Sequence, residues 1–168
     1  MNDERGEISL AGGGESGPAE HVLVVRSGTW LCAIPLTEVR ETMRRLPIRP
    51  VAGSPPFVRG IALVRGAYIP VIALRILLGE SDENDQNTSH FFVTVQFGDQ
   101  RAALETDAVI GAQHIPLHVL EPLPSLLSEA MSTFVEKLGS LNQKHLAFCS
   151  AVKLLSSLPS LDHEAHWP

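Results

Sequence analysis

The sequence predicts an all-β fold with short helices, built from two similar small β-subdomains. Short valine- and isoleucine-rich segments recur between glycine-containing turns, which is typical of strands in a β-sheet. No long segment has the 3.6-residue apolar period of an amphipathic helix, which disfavours a helical bundle or coiled coil. Two stretches of the first half also align, in the same order, with two stretches of the second half.

The first half contains two predicted hairpins. His21–Arg26 is a valine-rich strand, and Trp30–Ile34 continues it after a turn at Ser27-Gly28. Gly60–Val64 and Ala67–Ile72 form the second hairpin, around Arg65-Gly66.

The other predicted elements are a strand and short helices. Leu36–Leu46 has apolar residues at helical spacing, but its threonines and valine also suit a strand, so both interpretations stay open. Leu74–Leu78 predicts one helical turn that ends at a glycine, and Phe91–Phe97 predicts a strand. Ser125–Met131 and Ala151–Leu158 are further short helix candidates.

The internal alignment and the polar breaks predict the domain organisation. Residues 24–39 align with 93–109, and residues 57–78 with 134–155. A glycine-rich acidic tail spans 1–20, and a polar break near 80–88 separates the two halves. We therefore expect a domain at 21–158, with subdomain 1 at about 21–79, a linker at 80–88, subdomain 2 at about 89–158 and a C-terminal tail at 159–168.

Composition excludes several classes of protein. The 168 residues are 44% hydrophobic, too apolar for a disordered chain, yet no apolar run is long enough to insert in a membrane. The acidic start does not look like a secretory signal, and two cysteines favour a reducing cytoplasm. A net charge of −6 argues against nucleic-acid binding, although residues 21–79 carry +6 and residues 80–168 carry −8.

No catalytic or metal site is predicted, and no cofactor. His114 and His118 have the spacing of a helical metal pair, but Pro116 between them argues against a helix; His163 and His166 lie in a polar tail. Cys32 and Cys149 stand singly in apolar strands, which favours buried, inert thiols; the alternative is a small thiol-dependent enzyme. The nearby Glu105 and Asp107 could form a like-charge pair, although a solvent-facing edge explains them equally well.

Residues 32–79 resemble the first part of the bacterial chemotaxis coupling proteins of the CheW family. The matching motifs are Val39-Arg40-Glu41, Phe57-Val58-Arg59-Gly60, Val64-Arg65-Gly66, Ile69-Pro70-Val71-Ile72 and Leu74-Arg75. The second half is similar more weakly, through Asp107-Ala108-Val109, Ile115–Pro124 and Val152–Leu155. In order along the chain, the resemblance covers residues 21–158.

The resemblance implies two five-stranded SH3-like β-barrels packed together and a non-enzymatic adaptor in the cytoplasm. Family members bridge the cytoplasmic tips of methyl-accepting chemoreceptors to the regulatory domain of the CheA-type histidine kinase. By motif matching, Val39, Glu41, Gly60 and Arg65 are the expected receptor- or kinase-binding residues. Arg65 could present its guanidinium to a partner, or could make a structural hydrogen bond that ties its hairpin to a neighbouring loop.

Several positions depart from the family pattern. Leu63 replaces an asparagine, Ala73 replaces an aspartate expected to cap the following helix, and Lys137 replaces a glycine. Ser150 also replaces an aspartate but can still cap its helix. These changes suggest a specialised paralogue, which would bind only kinase or only receptor, or serve pilus motility or another pathway.

Overall fold

Eleven β-strands and three short helices make up the part of the chain that the structure describes. The computed structural model describes residues 17–80, 90–127 and 129–158. Most of the expected N-terminal tail, the linker from residue 81, and the C-terminal tail with His163 and His166 lie outside the described residues. No helix within these ranges has the length and apolar character needed to span a membrane.

The strands and helices alternate with tight turns along the chain. The strands are β1 (Ala19–Ser27), β2 (Trp30–Pro35), β3 (Val39–Arg44), β4 (Val58–Val64), β5 (Ala67–Ala73), β6 (Phe91–Phe97), β7 (Gln100–Thr106), β8 (Ala108–Pro116), β9 (Glu121–Pro122), β10 (Val135–Leu141) and β11 (Lys144–Cys149). The helices are α1 (Leu74–Leu77), α2 (Glu129–Ser132) and α3 (Ala151–Ser157).

The predicted fold class is confirmed, with differences at some boundaries. β1 begins at Ala19, inside the expected tail 1–20. The ambiguous segment 36–46 contains a 3-10 turn, Leu36–Glu38, followed by strand β3, so the strand interpretation holds for most of it. The helix expected at Ser125–Met131 begins only at Glu129.

The strands form two sheets, and each sheet closes on itself. Sheet A has the order β8-β1-β2-β11-β10-β9, and sheet B the order β3-β6-β7-β5-β4. The chain that leaves β8 returns as β9 beside β10. The chain that leaves β3 returns at Arg49, which pairs with Ile61 of β4. Each sheet therefore closes into a small barrel through the continuation of its own first strand.

The two halves of the chain exchange hairpins between these barrels. The β1–β2 hairpin of the first half joins sheet A, where β2 runs parallel to β11 of the second half. The β6–β7 hairpin of the second half joins sheet B, where β7 runs parallel to β5. This corrects the expectation that residues 21–79 and 89–158 each build their own subdomain. The reason is that each hairpin finds its parallel partner strand in the other half.

The internal duplication predicted from the sequence is visible in the pairing irregularities. The β4–β5 ladder skips Arg59, and the β10–β11 ladder skips Glu136 at the position aligned with it. The two-residue turns of these hairpins also correspond, because Arg65 and Asn142 both have φ of 52°. The two barrels therefore share strand order, bulge position and turn geometry.

Three hydrophobic clusters hold the barrels together. Ala62, Val71 and Phe92 belong to the interior of sheet B, and Val22, Ile115 and Leu146 to that of sheet A. The largest cluster joins both sheets to α1 and α3. Its members include Val25, Cys32, Ile34, Ile72, Leu74, Leu77, Val93, Leu104, Phe134, Cys149, Leu154 and Leu155. Burial of this shared seam couples the two barrels into one unit.

Glu105 and Asp107 are buried and paired with arginines, which corrects the expectation of a solvent-facing edge. The Asp107 side chain is 3% exposed and lies 3.3 Å from the Arg75 guanidinium. It also accepts a hydrogen bond of 2.7 Å from the Gly28 amide, in the turn of the exchanged hairpin. Glu105 lies 3.2 Å from Arg59. Buried carboxylates need such partners, and here they come from segments distant in sequence.

The helices that follow β5 and β11 begin differently. The Ser150 hydroxyl accepts a hydrogen bond of 3.2 Å from the Lys153 amide at the start of α3. Glu38 also reaches this terminus and accepts a hydrogen bond from Ala151 at 3.3 Å. Its burial nevertheless raises the pKa of the Glu38 carboxyl, against the lowering effect of these amides. Ala73, at the aligned position before α1, makes no side-chain cap, as its sequence predicts.

Candidate functional site

Glu41 lies on β3, at the edge of sheet B and next to a bulge. The ladder between β3 and β6 shifts its register between Val39 and Glu41. Thr94 of β6 fixes this irregularity, because its hydroxyl accepts a hydrogen bond of 3.2 Å from the Glu41 amide. The bulge therefore determines where the Glu41 side chain leaves the strand.

Arg65 lies in the two-residue turn between β4 and β5. Val64 and Ala67 pair directly across this turn, and its central residues have φ of 52° at Arg65 and 80° at Gly66. Positive φ at both central positions is typical of the type I′ turn, whose twist matches that of a β-hairpin. β3 and β4 are the two ends of the strand order in sheet B, and they meet because the sheet closes into a barrel. The tight turn after β4 therefore places the Arg65 side chain beside β3.

Arg65 and Glu41 form a bidentate salt bridge that joins the two edge strands of sheet B. Arg65 donates from Nη2 to Glu41 Oε2 at 2.8 Å and from Nε to Oε1 at 3.1 Å. The Arg65 side chain is 74% exposed and that of Glu41 is 29% exposed, so the pair lies at the surface. A guanidinium matches both carboxylate oxygens at once, which orients the arginine better than a single contact would.

The salt bridge between Arg65 and Glu41 lies in a strongly positive electrostatic environment. Hydrogen bonding to Arg65 lowers the pKa of the Glu41 carboxyl, and the charges of Arg40 and Arg101 act in the same direction. The same hydrogen bonds raise the pKa of Arg65. Glu41 is therefore ionised at neutral pH and is surrounded by three arginines. This surface favours an approaching anionic group.

The other two predicted residues, Val39 and Gly60, have mainly structural surroundings. Val39 is half-buried and packs against the shared seam. Gly60 is buried at the bulge of β4 with φ of 146°, and a Cβ built there would lie 2.1 Å from the Arg49 carbonyl oxygen. Only glycine lets this backbone pass so close to its neighbour. The structure thus brings Glu41 and Arg65 together, whereas Gly60 allows the close backbone approach that closes the barrel.

The second barrel has the same backbone at this site but different side chains. Asn142 and Gln143 occupy the turn that corresponds to Arg65-Gly66, and both have positive φ. Gly111 of β8 pairs with Val24 of β1 as Glu41 of β3 pairs with Thr94 of β6, so Gly111 takes the position that corresponds to Glu41. The charged pair of sheet B therefore has no counterpart at the aligned positions of sheet A.

Sequence reasoning did not find an exposed apolar pair on the same hairpin. Leu63 of β4 and Tyr68 of β5 face each other across the ladder. They are 53% and 52% exposed, respectively. Leu63 departs from the family pattern, but its exposure depends on strand register. The alternation of Ala62, Leu63 and Val64 between two buried residues and one exposed residue is the signal that could have identified it.

The histidines and cysteines do not form a reactive centre in the described part of the chain. No group of three or more His, Cys, Asp or Glu side chains in these ranges could hold a metal ion. His114 lies on β8 and stacks on His21 of β1 at 4.0 Å between ring centroids. Cys32 and Cys149 are buried, and burial raises the pKa of the Cys149 thiol well above its usual range. A buried thiol of raised pKa is a poor nucleophile.

The chain is similar to known proteins over nearly all of its described length. The family model of the CheW-like domain matches residues 21–158. The chemotaxis protein CheW of Klebsiella aerogenes is 24% identical over 139 residues, covering 82% of each chain. Protein FrzA of Myxococcus xanthus is 26% identical over 143 residues, covering 83% of this chain and 88% of FrzA.

Two further similarities extend the comparison. Protein PilI of Pseudomonas aeruginosa is 29% identical over 124 residues, covering 73% of this chain and 68% of PilI. The crystal structure of the scaffolding protein TtCheW from Thermoanaerobacter tengcongensis superposes with a TM-score of 0.64 and 25% identity, covering 79% of this chain and 89% of that one. With a family match from residue 21 to residue 158 and the same two-subdomain β-fold, the chain belongs to the CheW-like domain family.

Proposed function

We propose that the protein is a non-enzymatic adaptor that couples the cytoplasmic tip of a methyl-accepting chemoreceptor to the regulatory domain of a CheA-type histidine kinase. The pathway would be chemotaxis or a related signalling system. Membership of the CheW-like family and similarity to a chemotaxis protein, a scaffolding protein, FrzA and PilI support this role. The observation that carries the proposal is the exposed, oriented guanidinium of Arg65.

The Arg65–Glu41 pair is suited to recognise an acidic partner surface. A guanidinium has five N–H donors, and Glu41 accepts from two nitrogen atoms of Arg65. The remaining donors can bind a carboxylate or backbone carbonyl of the partner. Because Glu41 already holds the side chain in place, little further conformational entropy is lost on binding. In this proposal Arg65 and Glu41 contact the partner, whereas Val39 and Gly60 position the strands that carry them.

Charge reversal at Arg65 tests the proposal. The binding of the full-length protein to a receptor cytoplasmic fragment and to a kinase regulatory domain would be measured by isothermal titration calorimetry. Arg65→Glu is expected to weaken at least one of the two interactions by about tenfold or more, as for arginines at interface hot spots. The matched control is Arg44→Glu, which makes the same charge change at another exposed position of sheet B.

A charge swap separates binding from structure. The double variant Glu41→Arg/Arg65→Glu restores an opposite-charge pair between β3 and the turn, so it should unfold at the wild-type temperature. If Arg65 binds a partner, the swap leaves binding weak. Recovery of full affinity in the swap would show that only the intramolecular bridge matters. Failure of the wild-type protein to bind either partner at tens of micromolar would refute the adaptor role.

Exposure of Leu63 supports one alternative, a paralogue that binds only the kinase or only the receptor. An apolar side chain beside Arg65 at the surface changes the chemistry presented to a partner. In a reconstituted kinase assay, the adaptor would stimulate the kinase in the presence of receptor, whereas a single-partner protein would inhibit it. Leu63→Asn should move an inhibiting protein towards stimulation.

A further inference from the structure

One edge of sheet A is an uncharged strand that lacks a second strand partner. β8 pairs with β1 along one side, and no other strand of the described residues pairs with it. The barrel closes through β9, the continuation of β8, and not through β8 itself. None of the nine residues of β8 is Asp, Glu, Lys or Arg, and Ile110, Ala112 and His114 are exposed. Natural proteins usually protect such edges with charged side chains, because the free backbone groups can pair with another chain.

The corresponding edge of sheet B has this protection. β3 takes the place of β8 there, and it carries Arg40, Glu41 and Arg44. The salt bridge between Glu41 and Arg65 also joins β3 to the β4–β5 turn. In sheet A, Gly111 stands where β3 has Glu41, so no such bridge can form. The duplication therefore contains one guarded edge and one edge that is open to a further strand.

The backbone groups that β8 offers at this edge belong to Ala112 and His114. The Leu117 amide donates to the Pro18 carbonyl at 3.0 Å, in register with the ladder between β1 and β8. Hydrogen-bonded pairs alternate along an antiparallel ladder, so the odd-numbered residues from 111 to 115 also bond to β1. The N–H and C=O groups of Ala112 and His114 therefore point away from β1, towards the open edge.

Gln113 lies between these two residues and carries an unsatisfied polar atom. It pairs with Val22 of β1, whose side chain lies in the interior of sheet A, and directly opposed residues share a face. The Gln113 Oε1 atom is buried and has no hydrogen-bond partner among the described residues. Because a buried oxygen without a donor costs free energy, an amide group that approaches this edge would be favoured.

We propose that β8 pairs antiparallel with β8 of a second copy of this chain, about a two-fold axis at Gln113. In this register Ala112 lies opposite His114 of the copy, so the outward N–H and C=O groups of the two residues bond to each other. The two Gln113 residues meet at a non-hydrogen-bonded position, where the side chains of antiparallel strands are closest. Each Gln113 Nε2 can then donate to the Oε1 of the other copy.

A second copy fits this edge because the strand is complementary to itself. β8 has no charged residue that would face its own copy, whereas two β3 strands would bring Arg40 and Arg44 together. The bulge of β8 is at Ile110, so the segment that pairs, 111–115, is regular. The contact does not depend on the proposed adaptor role.

Sedimentation equilibrium of the full-length protein tests the association. The paired edge is short compared with a standard interface, so the mass should rise from monomer towards dimer between about 5 and 500 μM. Ala112→Lys places a charge on the pairing edge and should weaken the dimer by about tenfold or more. The matched control, Thr42→Lys, makes the same charge change at the corresponding exposed position of β3 and should leave the dimer unchanged.

A cysteine at the two-fold axis tests the register. Opposed Cβ atoms of paired strands are close enough for a disulfide, so Gln113→Cys should give a covalent dimer with oxidised glutathione on a non-reducing gel. Met43→Cys, at the corresponding half-buried position of β3, should stay monomeric. The native Cys32 and Cys149 are buried and are present in both variants. This experiment also decides the proposal if Ala112→Lys fails to fold.

Four results would overturn the proposal. A monomer mass over the whole concentration range would show that the edge of β8 stays unpaired. A dimer that Ala112→Lys leaves intact, or that Thr42→Lys weakens equally, would place the contact on another surface. Equal cross-linking of Gln113→Cys and Met43→Cys would have the same meaning. A reversible dimer in which Gln113→Cys does not cross-link would exclude the two-fold axis at this residue.

Discussion

Replacing Gly60 with alanine should destabilise the protein much more than the same replacement at Gly66. At Gly60 the φ is 146° and the new Cβ would lie 2.1 Å from the Arg49 carbonyl oxygen and 2.9 Å from the Pro50 Cα. The backbone conformation alone costs about 1–3 kcal/mol for a non-glycine residue. Moving the Arg49 segment away would also break its two hydrogen bonds with Ile61, each worth about 0.5–1.5 kcal/mol.

Together these effects predict a loss of about 2–6 kcal/mol in the free energy of unfolding. Gly66 is the matched control, because its φ is 80° but nothing lies within 4 Å of the Cβ position. Gly66→Ala should therefore cost only the backbone strain, about 1–2 kcal/mol. Urea denaturation followed by circular dichroism gives both values. If Gly60→Ala is no more destabilising than Gly66→Ala, the close approach to Arg49 is not what requires glycine at this position.

Three further predictions concern buried or half-buried groups. Asp107→Ala should lower the free energy of unfolding by about 3–5 kcal/mol, because it leaves the buried Arg75 guanidinium without this carboxylate; a loss below about 1 kcal/mol in urea denaturation would contradict this. Burial raises the folded-state pKa of Glu38 above 4.5, so protonation of Glu38 stabilises the folded protein fully below pH 4.5, and this stabilisation is lost as the pH rises through the folded pKa. Glu38→Gln should remove the corresponding fall in melting temperature over this pH range. An unchanged dependence of melting temperature on pH would refute the prediction. Cys32 and Cys149 should both resist Ellman's reagent in the native protein and react in guanidinium, and rapid native labelling of either would contradict their burial.

Local sequence patterns predict the strands and turns of this fold but not their partners. The valine-rich segments and the glycine turns near Gly28 and Gly66 correctly located both hairpins of the first half. The exchange of hairpins was missed because the duplication makes the two halves nearly equivalent in pattern. The local sequence of β2 does not show whether it pairs with a strand of its own half or with β11, because both arrangements bury the same apolar faces.

At the candidate site, too, local sequence motifs predict the residues but not the contacts between them. Glu41 and Arg65 were both expected from their motifs, but their contact depends on the closing of sheet B, which brings together residues 24 positions apart. Glu105 and Asp107 look like surface carboxylates in isolation. They are buried because Arg59 and Arg75, 46 and 32 residues away, offset the desolvation of their charges. Such pairings become visible only when the tertiary structure is known.

The exchanged hairpins also constrain how the polypeptide can acquire its structure during synthesis. The β1–β2 hairpin leaves the ribosome first, yet the strand parallel to β2 is β11, which pairs Trp30 with His145 near the other end of the domain. Sheet A cannot be completed until β11, which ends at Cys149, has emerged, and contacts of such long sequence separation slow folding. The early hairpin is therefore exposed for most of translation. Separately expressed halves, each lacking the hairpin it receives, should be insoluble alone and soluble together.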